Sequence, residues 1–257
     1  KAVMANYADS ILEAIDNILE IVKIPRAIIA VKSNDIKSIR MFNKYIKTYP
    51  NISLRLVEDA FPSGWERLVV RNTLGIEYDK YPSEKDIIVN NVSTIYAIYE
   101  MFKYNRPLTE RVITITGPGI KKKKNVKVKI GALASDIISN LDGYKNIKNP
   151  LFIVGGPMMG KSMPCDDVVI TKDVTSIIVM EDHFEKNLPC IKCGKCTMVC
   201  PANIMPVLIM ENIDNIDNLK KLKCNKCIGC SLCSYICPSK IEVREFVNIA
   251  KEKVNHK

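Results

Sequence analysis

The chain contains ten cysteines, and nine of them fall between Cys190 and Cys237. Two copies of one motif stand out. The first reads Cys190-x-x-Cys193-x-x-Cys196-x-x-x-Cys200-Pro201, and the second Cys227-x-x-Cys230-x-x-Cys233-x-x-x-Cys237-Pro238, beginning 37 residues later. Three thiolates at steps of three can wrap one iron–sulfur cubane if the short loop between them turns tightly. In paired copies of this spacing the fourth cysteine serves the other cluster. The expected ligand sets are Cys190, Cys193, Cys196 and Cys237 for cluster 1, and Cys227, Cys230, Cys233 and Cys200 for cluster 2. Each proline is expected to end its loop and help start the next helix, where a missing N–H costs nothing.

Structural zinc is the competing chemistry. Zinc sites use paired C-x-x-C knuckles at longer separation and need only four ligands, which explains a repeated run of three plus Cys-Pro poorly. Cys224 adds a fifth cysteine to the second run at the same step. A register through Cys224, Cys227 and Cys230 would place six residues between Cys230 and the Cys-Pro end at Cys237, so Cys224 is read as the spare. Cys165, in Met-Pro-Cys-Asp-Asp, stands apart as a redox thiol or simply a small packed residue. With no secretion signal, clustered cysteines favour metal over disulfides. Two linked cubanes make sense chiefly as a relay between a two-electron donor and a one-electron partner.

Ordinary elements must position these cysteines. Hydrophobic residues make up 47% and charged residues 26% of 257, as in a globular protein. No run approaches the ~18–20 apolar residues that span a bilayer. The chain begins at Lys1 with no methionine, which suggests a fragment or processed product. Its net charge is +10; two four-thiolate cubanes at about −2 each would bring that to roughly +6. Such a surface is either lysine-rich dressing or an attractor of acidic partners.

Helical spacing from Ala8 to Val22 is followed by an apolar strand Ala27–Val31. A helix capped by Asp35, a strand Ser53–Val57, a helix Leu68–Leu74, a strand Ile87–Val89 and a helix Thr94–Phe102 follow. That alternation predicts a parallel α/β sheet. From Arg111 a hairpin is expected, with Lys121–Lys124 at its solvated tip, and then a helix Ser135–Leu141. Strands near Leu151–Val154, Val168–Ile170 and Thr175–Met180 complete the region before the cysteines. No nucleophile–base pair, catalytic carboxylate pair or phosphate loop is evident, and no catalytic residue is assigned. His183 and His256 read as isolated surface residues.

Several segments carry a family resemblance. Pro107-Leu-Thr-Glu-Arg-Val-Ile-Thr-Ile-Thr-Gly117, Gly155-Gly-Pro-Met-Met-Gly160 and Cys230-Ser-Leu-Cys-Ser-Tyr-Ile-Cys-Pro-Ser-Lys-Ile241 resemble the RnfC family, the peripheral iron–sulfur subunit of the Rnf ferredoxin–NAD oxidoreductase. The likeness extends to RnfC-like relatives such as the electron-transfer protein associated with proline reductase (PrdC) and the cobalamin reductases of propanediol use. It implies a flavoprotein-like α/β domain over 1–107 and a small β-grasp (SLBB-like) domain over 108–148. A connecting segment over 149–185 and a helical, ferredoxin-like two-cluster domain over 186–257 follow.

The same arrangement is similar to the NADH-binding flavoprotein subunit of respiratory complex I, where an Asn-Val-Glu-Thr stretch lies near the flavin. Asn91-Val-Ser-Thr94 occupies the matching place, with Ser93 in place of the acid. Asn91 and Thr94 are thus the flavin candidates this resemblance implies, or else the cap of the helix that follows. Phe61-Pro-Ser-Gly-Trp65-Glu66 resembles a family loop in which glycine stands where this chain has Trp65. The family's upstream glycine-rich nucleotide loop lies outside the chain, so FMN is expected only of a longer protein.

The expectation is an electron carrier between an NADH or flavin donor and a redox partner: a reductase, a ferredoxin or flavodoxin, or an Rnf-type complex. Its setting would be cytoplasmic, with at most peripheral membrane association and no nucleic acid. The alternative is a zinc- or cluster-stabilised interaction module using its basic surface.

Overall fold

In the computed structural model of the chain, residues 1–183 and 185–255 are described; His256 lies outside them. Two compact units emerge, one of Lys1–Val112 with Lys127–Lys129, the other of Ile113–Val126 with Ile130–Lys257.

The first unit follows the apolar periodicity. A short helix α1 (Ala2–Asn6) precedes α2 (Ala8–Val22), which buries Ile11, Leu12, Ala14 and Leu19 and stops at Lys23 in the left-handed region, ahead of Pro25. Strand β1 (Ala27–Lys32) leads to α3 (Ile36–Tyr45), and Asp35 caps that helix as its sequence predicts. The buried Asp35 carboxylate accepts from the Ser38 N–H at 3.4 Å and from the Ser38 hydroxyl at 2.8 Å. Strand β2 (Ile52–Val57) pairs with β1 in parallel, from Ala27 opposite Ile52 to Lys32 opposite Val57. Helices α4 (Glu66–Leu74) and α5 (Val92–Tyr104) complete the unit. Its core gathers Leu12, Ile29, Val31, Ile52 and Ile95 around a fully buried Phe42.

The expected strand at Ile87–Val89 does not form, so the parallel sheet has two strands. The reason lies just upstream, in a 3-10 turn at Pro82–Lys85. There the Glu84 carboxylate accepts from the backbone N–H groups of Asp79, Lys80 and Tyr81 at 3.0–3.2 Å. The Ile87 N–H then closes back onto the Pro82 carbonyl at 3.2 Å instead of meeting a neighbouring strand. Three apolar residues carry too little period to separate a strand from an extended loop.

The second unit is built on a mixed sheet. The hairpin strands β3 (Glu110–Thr116) and β4 (Lys124–Lys129) contribute residues to both units, and Lys121–Lys124 are exposed at the turn. After α6 (Ala134–Ser139) come β5 (Pro150–Val154), β6 (Lys161–Met163) and β7 (Ser176–Glu181). The order is β4-β3-β7-β5-β6. β7 lies parallel to β3 and antiparallel to β5, burying Ile177 and Val179 completely. The strand expected at Val168–Ile170 is reduced to one bridge, Leu133 to Val169. Its backbone is used by the 131–134 loop instead, where Gly131 N–H donates to Ile170 O and Ala134 N–H to Val168 O, each at 2.8 Å.

The Gly155–Gly160 segment turns β5 into β6. Gly160 N–H donates to Gly156 O at 2.8 Å. A Cβ on Gly160 would lie 2.6 Å from that oxygen and 2.7 Å from the Val154 carbonyl, both backbone atoms that cannot swing away. The exposed Gly156 has nothing within 4 Å of its own added Cβ. Gly160→Ala is therefore expected to destabilise the protein by about 1–3 kcal/mol, and Gly156→Ala to stay within about 0.5 kcal/mol of the parent. Urea unfolding followed by circular dichroism checks both; equal effects would contradict the close-approach account.

Candidate metal centre

The cysteine-bearing part consists of short helices linked by tight loops. They are α7 (Lys195–Met198), α8 (Pro206–Glu211), α9 (Ile216–Lys221), α10 (Leu232–Tyr235) and α11 (Val243–Asn255). The 37-residue offset of the sequence is also an offset of backbone geometry. Lys192 and Gly229, Gly194 and Ser231, and Asn203 and Lys240 are mates under that shift, and all six adopt positive φ between 52° and 73°. In each copy the second residue after the leading cysteine turns its N–H back onto the thiol. Lys192 N–H donates to Cys190 Sγ at 3.4 Å and Gly229 N–H to Cys227 Sγ at 3.3 Å.

Pro201 and Pro238 play a different part from the one expected. They sit in turns, and the helices begin five residues later, at Pro206 and Val243. Pro206 itself occupies the first helical position of α8, where its missing N–H is harmless. The turn after Cys237 is tied to the entry of the first motif. Leu188 N–H donates to Ser239 O at 2.9 Å, and the buried Ser239 hydroxyl donates to Pro189 O at 2.9 Å.

Two concavities result. One, of about 370 Å³, is lined by Cys190, Cys193, Cys196 and Cys237. The other, of about 340 Å³, is lined by Cys200, Cys227, Cys230 and Cys233. Each residue lining one has its mate, 37 positions away, lining the other. Cys190 and Cys193 are exposed, whereas Cys230 is buried. Burial pushes up the thiols of Cys227, Cys230 and Cys233, the last to about 12, and also that of Cys196. Thiols so placed hold their protons until a cation replaces them.

This donor set suits an iron–sulfur cubane: soft sulfur ligands spread around a central space, with backbone N–H groups turned toward two of them. A lone tetrahedral zinc would draw its thiolates to about 2.3 Å from one point.

The remaining cysteines lie elsewhere. Cys224 is 1% exposed in a core with Ile204, Ile209, Leu219, Val247 and Ala250, and lines neither concavity. Burial raises its thiol too. Cys165 is exposed beyond β6, and His183 is exposed as expected. In the first unit Asn91 caps α5, its side-chain oxygen accepting from the Ser93 N–H at 2.9 Å. Thr94 is exposed in the first turn of that helix. Phe61 and Trp65 are exposed in their loop.

Motif reading missed two cations. Arg244 lines the second concavity, and Lys251 Nζ donates to the Cys227 carbonyl at 3.1 Å. Superposing the two sequence copies would have exposed Arg244, because its mate is Val207.

Comparison with known proteins gives two family matches. Residues 1–100 match the Nuo51 FMN-binding domain, and residues 189–241 match the 4Fe-4S dicluster domain. Over 79% of its length the chain is similar to the RnfC component of ion-translocating oxidoreductase complexes. It is 29% identical over 210 residues to that of Pasteurella multocida, 31% over 210 residues to that of Haemophilus influenzae, and 28% over 209 residues to that of Rhodobacter capsulatus. The matched region spans 25%, 25% and 40% of those relatives respectively. The resemblance to RnfC read from the sequence thus holds, as does the expectation of 4Fe–4S chemistry in the cysteine-bearing segment.

Cys224→Ala tests the separation of core from site. It should cost about 1 kcal/mol, the scale of a methyl-sized core void, and leave iron content per chain unchanged. Loss of iron in proportion to Cys224 removal would make that residue a ligand after all.

Proposed function

We propose that this chain relays electrons through two [4Fe–4S] clusters between an NADH- or flavin-linked donor and a partner reductase or membrane complex. The carrying observation is the pair of mated concavities, each lined by three cysteines of one motif and the last cysteine of the other. Cys190, Cys193, Cys196 and Cys237 would hold cluster 1; Cys227, Cys230, Cys233 and Cys200 would hold cluster 2. When bound, such clusters accept and return one electron each, which divides a two-electron transfer into single steps.

The protein's part is to fix the thiolates, aim backbone N–H groups at them and limit water. The tight loops at Lys192 and Gly229 supply the first donors, and the short helices α7 and α10 carry the third cysteine of each set. The match to the dicluster domain supports this reading over a zinc-stabilised interaction module.

The finer assignments belong to the same proposal. Residues 1–107 act as a flavoprotein-like domain, 108–148 as a β-grasp (SLBB-like) unit, 149–185 as a connecting segment and 186–257 as the ferredoxin-like unit. FMN would be carried in a longer protein, with Asn91 and Thr94 as its contacts from this chain; the Nuo51 match over 1–100 supports that reading. The partners are redox proteins of reductase, ferredoxin, flavodoxin or Rnf type. No helix among the described residues is long and apolar enough to cross a membrane, so attachment at a cytoplasmic membrane face would be peripheral.

Anaerobic reconstitution is the test. Loaded protein should hold about eight irons and eight sulfides, four of each per cluster, and its visible absorption should bleach on reduction. Cys200→Ser and Cys237→Ser should each lower iron by about half, through loss of different clusters. Protected material that binds zinc but neither iron nor sulfide would end the proposal.

A further inference from the structure

The two concavities share a backbone plan but place their cations differently, an exposed Lys195 lining the first and Arg244 the second. Position for position, Val207 lines the first where Arg244 lines the second, each the second residue of its helix. Arg244 is held in place. Its Nη1 donates to the Ser231 hydroxyl at 2.8 Å, and its backbone N–H donates to the Ser234 hydroxyl at 2.9 Å, both on the α10 loop that carries Cys230 and Cys233. Its solvent side pairs with Glu245 at 2.7 Å, where Arg244 is 29% and Glu245 51% exposed.

A second cation follows from helix length. α11 runs to Asn255 and brings Lys251 onto the Cys227 carbonyl, whereas α8 ends at Glu211, before the corresponding turn. Around the first concavity the lysines are more exposed than Arg244, which is likewise paired with a glutamate. Lys195 is exposed, Lys192 pairs with Glu211 at 3.1 Å, and Lys240 pairs with Glu185 at 2.6 Å.

We propose that Arg244, assisted by Lys251, makes cluster 2 the preferred seat of a shared electron, so that cluster 1 passes electrons to cluster 2. This rests on the two-cluster reading above. With both clusters bound, one electron would leave reduced cluster 1, returning it from 1+ to 2+, and take cluster 2 from 2+ to 1+, with no bond or proton changing hands. Reduction adds a negative charge, and a fixed, half-buried guanidinium stabilises it with less screening than a solvated lysine provides.

Burial opposes this, because the partly enclosed second site disfavours the more negative state. The second site is the more enclosed, with Cys230 buried where its mate Cys193 is exposed, so the fixed guanidinium, itself paired with Glu245, must outweigh that cost. Arg244 is thus a positioning charge rather than a ligand.

The experiment is an anaerobic redox titration of the reconstituted protein, followed by electron paramagnetic resonance, after iron and sulfide have been counted. Arg244→Gln should lower one midpoint and leave the other, shifting the electron-sharing constant about tenfold toward cluster 1, or ~59 mV for a one-electron couple. Val207→Arg should raise the other midpoint, which assigns the two signals without further labelling. Glu245→Gln should move the Arg244-sensitive midpoint upward, and Arg244→Lys should restore most of the parent value. A purely structural arginine would not produce opposite signs from Arg244→Gln and Glu245→Gln. Fully loaded Arg244→Gln protein with unmoved midpoints, or with both moved alike, overturns this proposal alone. Failure of the parent to hold iron overturns the two-cluster reading instead.

Discussion

Each concavity is closed by a cysteine that the other motif supplies, and this exchange is the constraint on which the C-terminal part depends. Cys237 can line the first site only if the chain returns, 47 residues after Cys190, to the place where the first motif began. Ser239 fixes that return by bonding both Leu188 and Pro189. The packing of α8 and α9 against α11 around Ile209, Leu219, Val247 and Ala250 supplies the apolar support. With so few buried residues to hold it, a unit of this kind gains much of its rigidity from whatever its thiols bind. The desolvated thiols of Cys227, Cys230 and Cys233 point the same way, since protonated sulfur in such a site contributes little until a cation arrives.

The legible parts of the sequence were those where spacing along the chain is itself the geometry. Steps of three between cysteines, the heptad-like burial of Ile11, Leu12 and Leu19, and Asp35 ahead of α3 all express local rules that tertiary context did not override. Short apolar runs were the opposite case. Ile87–Val89 and Val168–Ile170 look alike in sequence, yet one follows a turn organised by the Glu84 carboxylate and the other feeds its backbone to a loop. Neither outcome is encoded within three residues. Pro201 and Pro238 misled for a related reason, because a proline after a cysteine is compatible with either a helix start or a turn. Only the five residues that follow decide between them.

Asn91 illustrates how a resemblance and a local rule can claim the same residue. As the cap of α5 it satisfies an N–H that would otherwise lack a partner, and that role needs no cofactor. A side chain already committed to its helix is also a well-fixed one, so capping and ligand contact are compatible for a residue at a helix start. The Gly155–Gly160 turn is the contrasting case. Its resemblance to the family is specific, but the close approach of Gly160 to two carbonyls accounts for the glycine without any ligand.

The internal repeat separates what duplication preserves from what it leaves free. Mated positive-φ residues and mated N–H to sulfur bonds recur in both halves even where side chains differ, with lysine opposite glycine at 192 and 229 and glycine opposite serine at 194 and 231. Backbone shape is therefore the conserved quantity between the halves, because it alone determines whether three thiols converge. Charge is not bound by that requirement. A valine and an arginine can stand at the same helical position, 207 and 244, without disturbing either concavity, and helices of 6 and 13 residues can both carry a wall of their site. On the reading proposed above, a pair of sites alike in backbone and unequal in field would give an electron a direction, which two identical sites could not do.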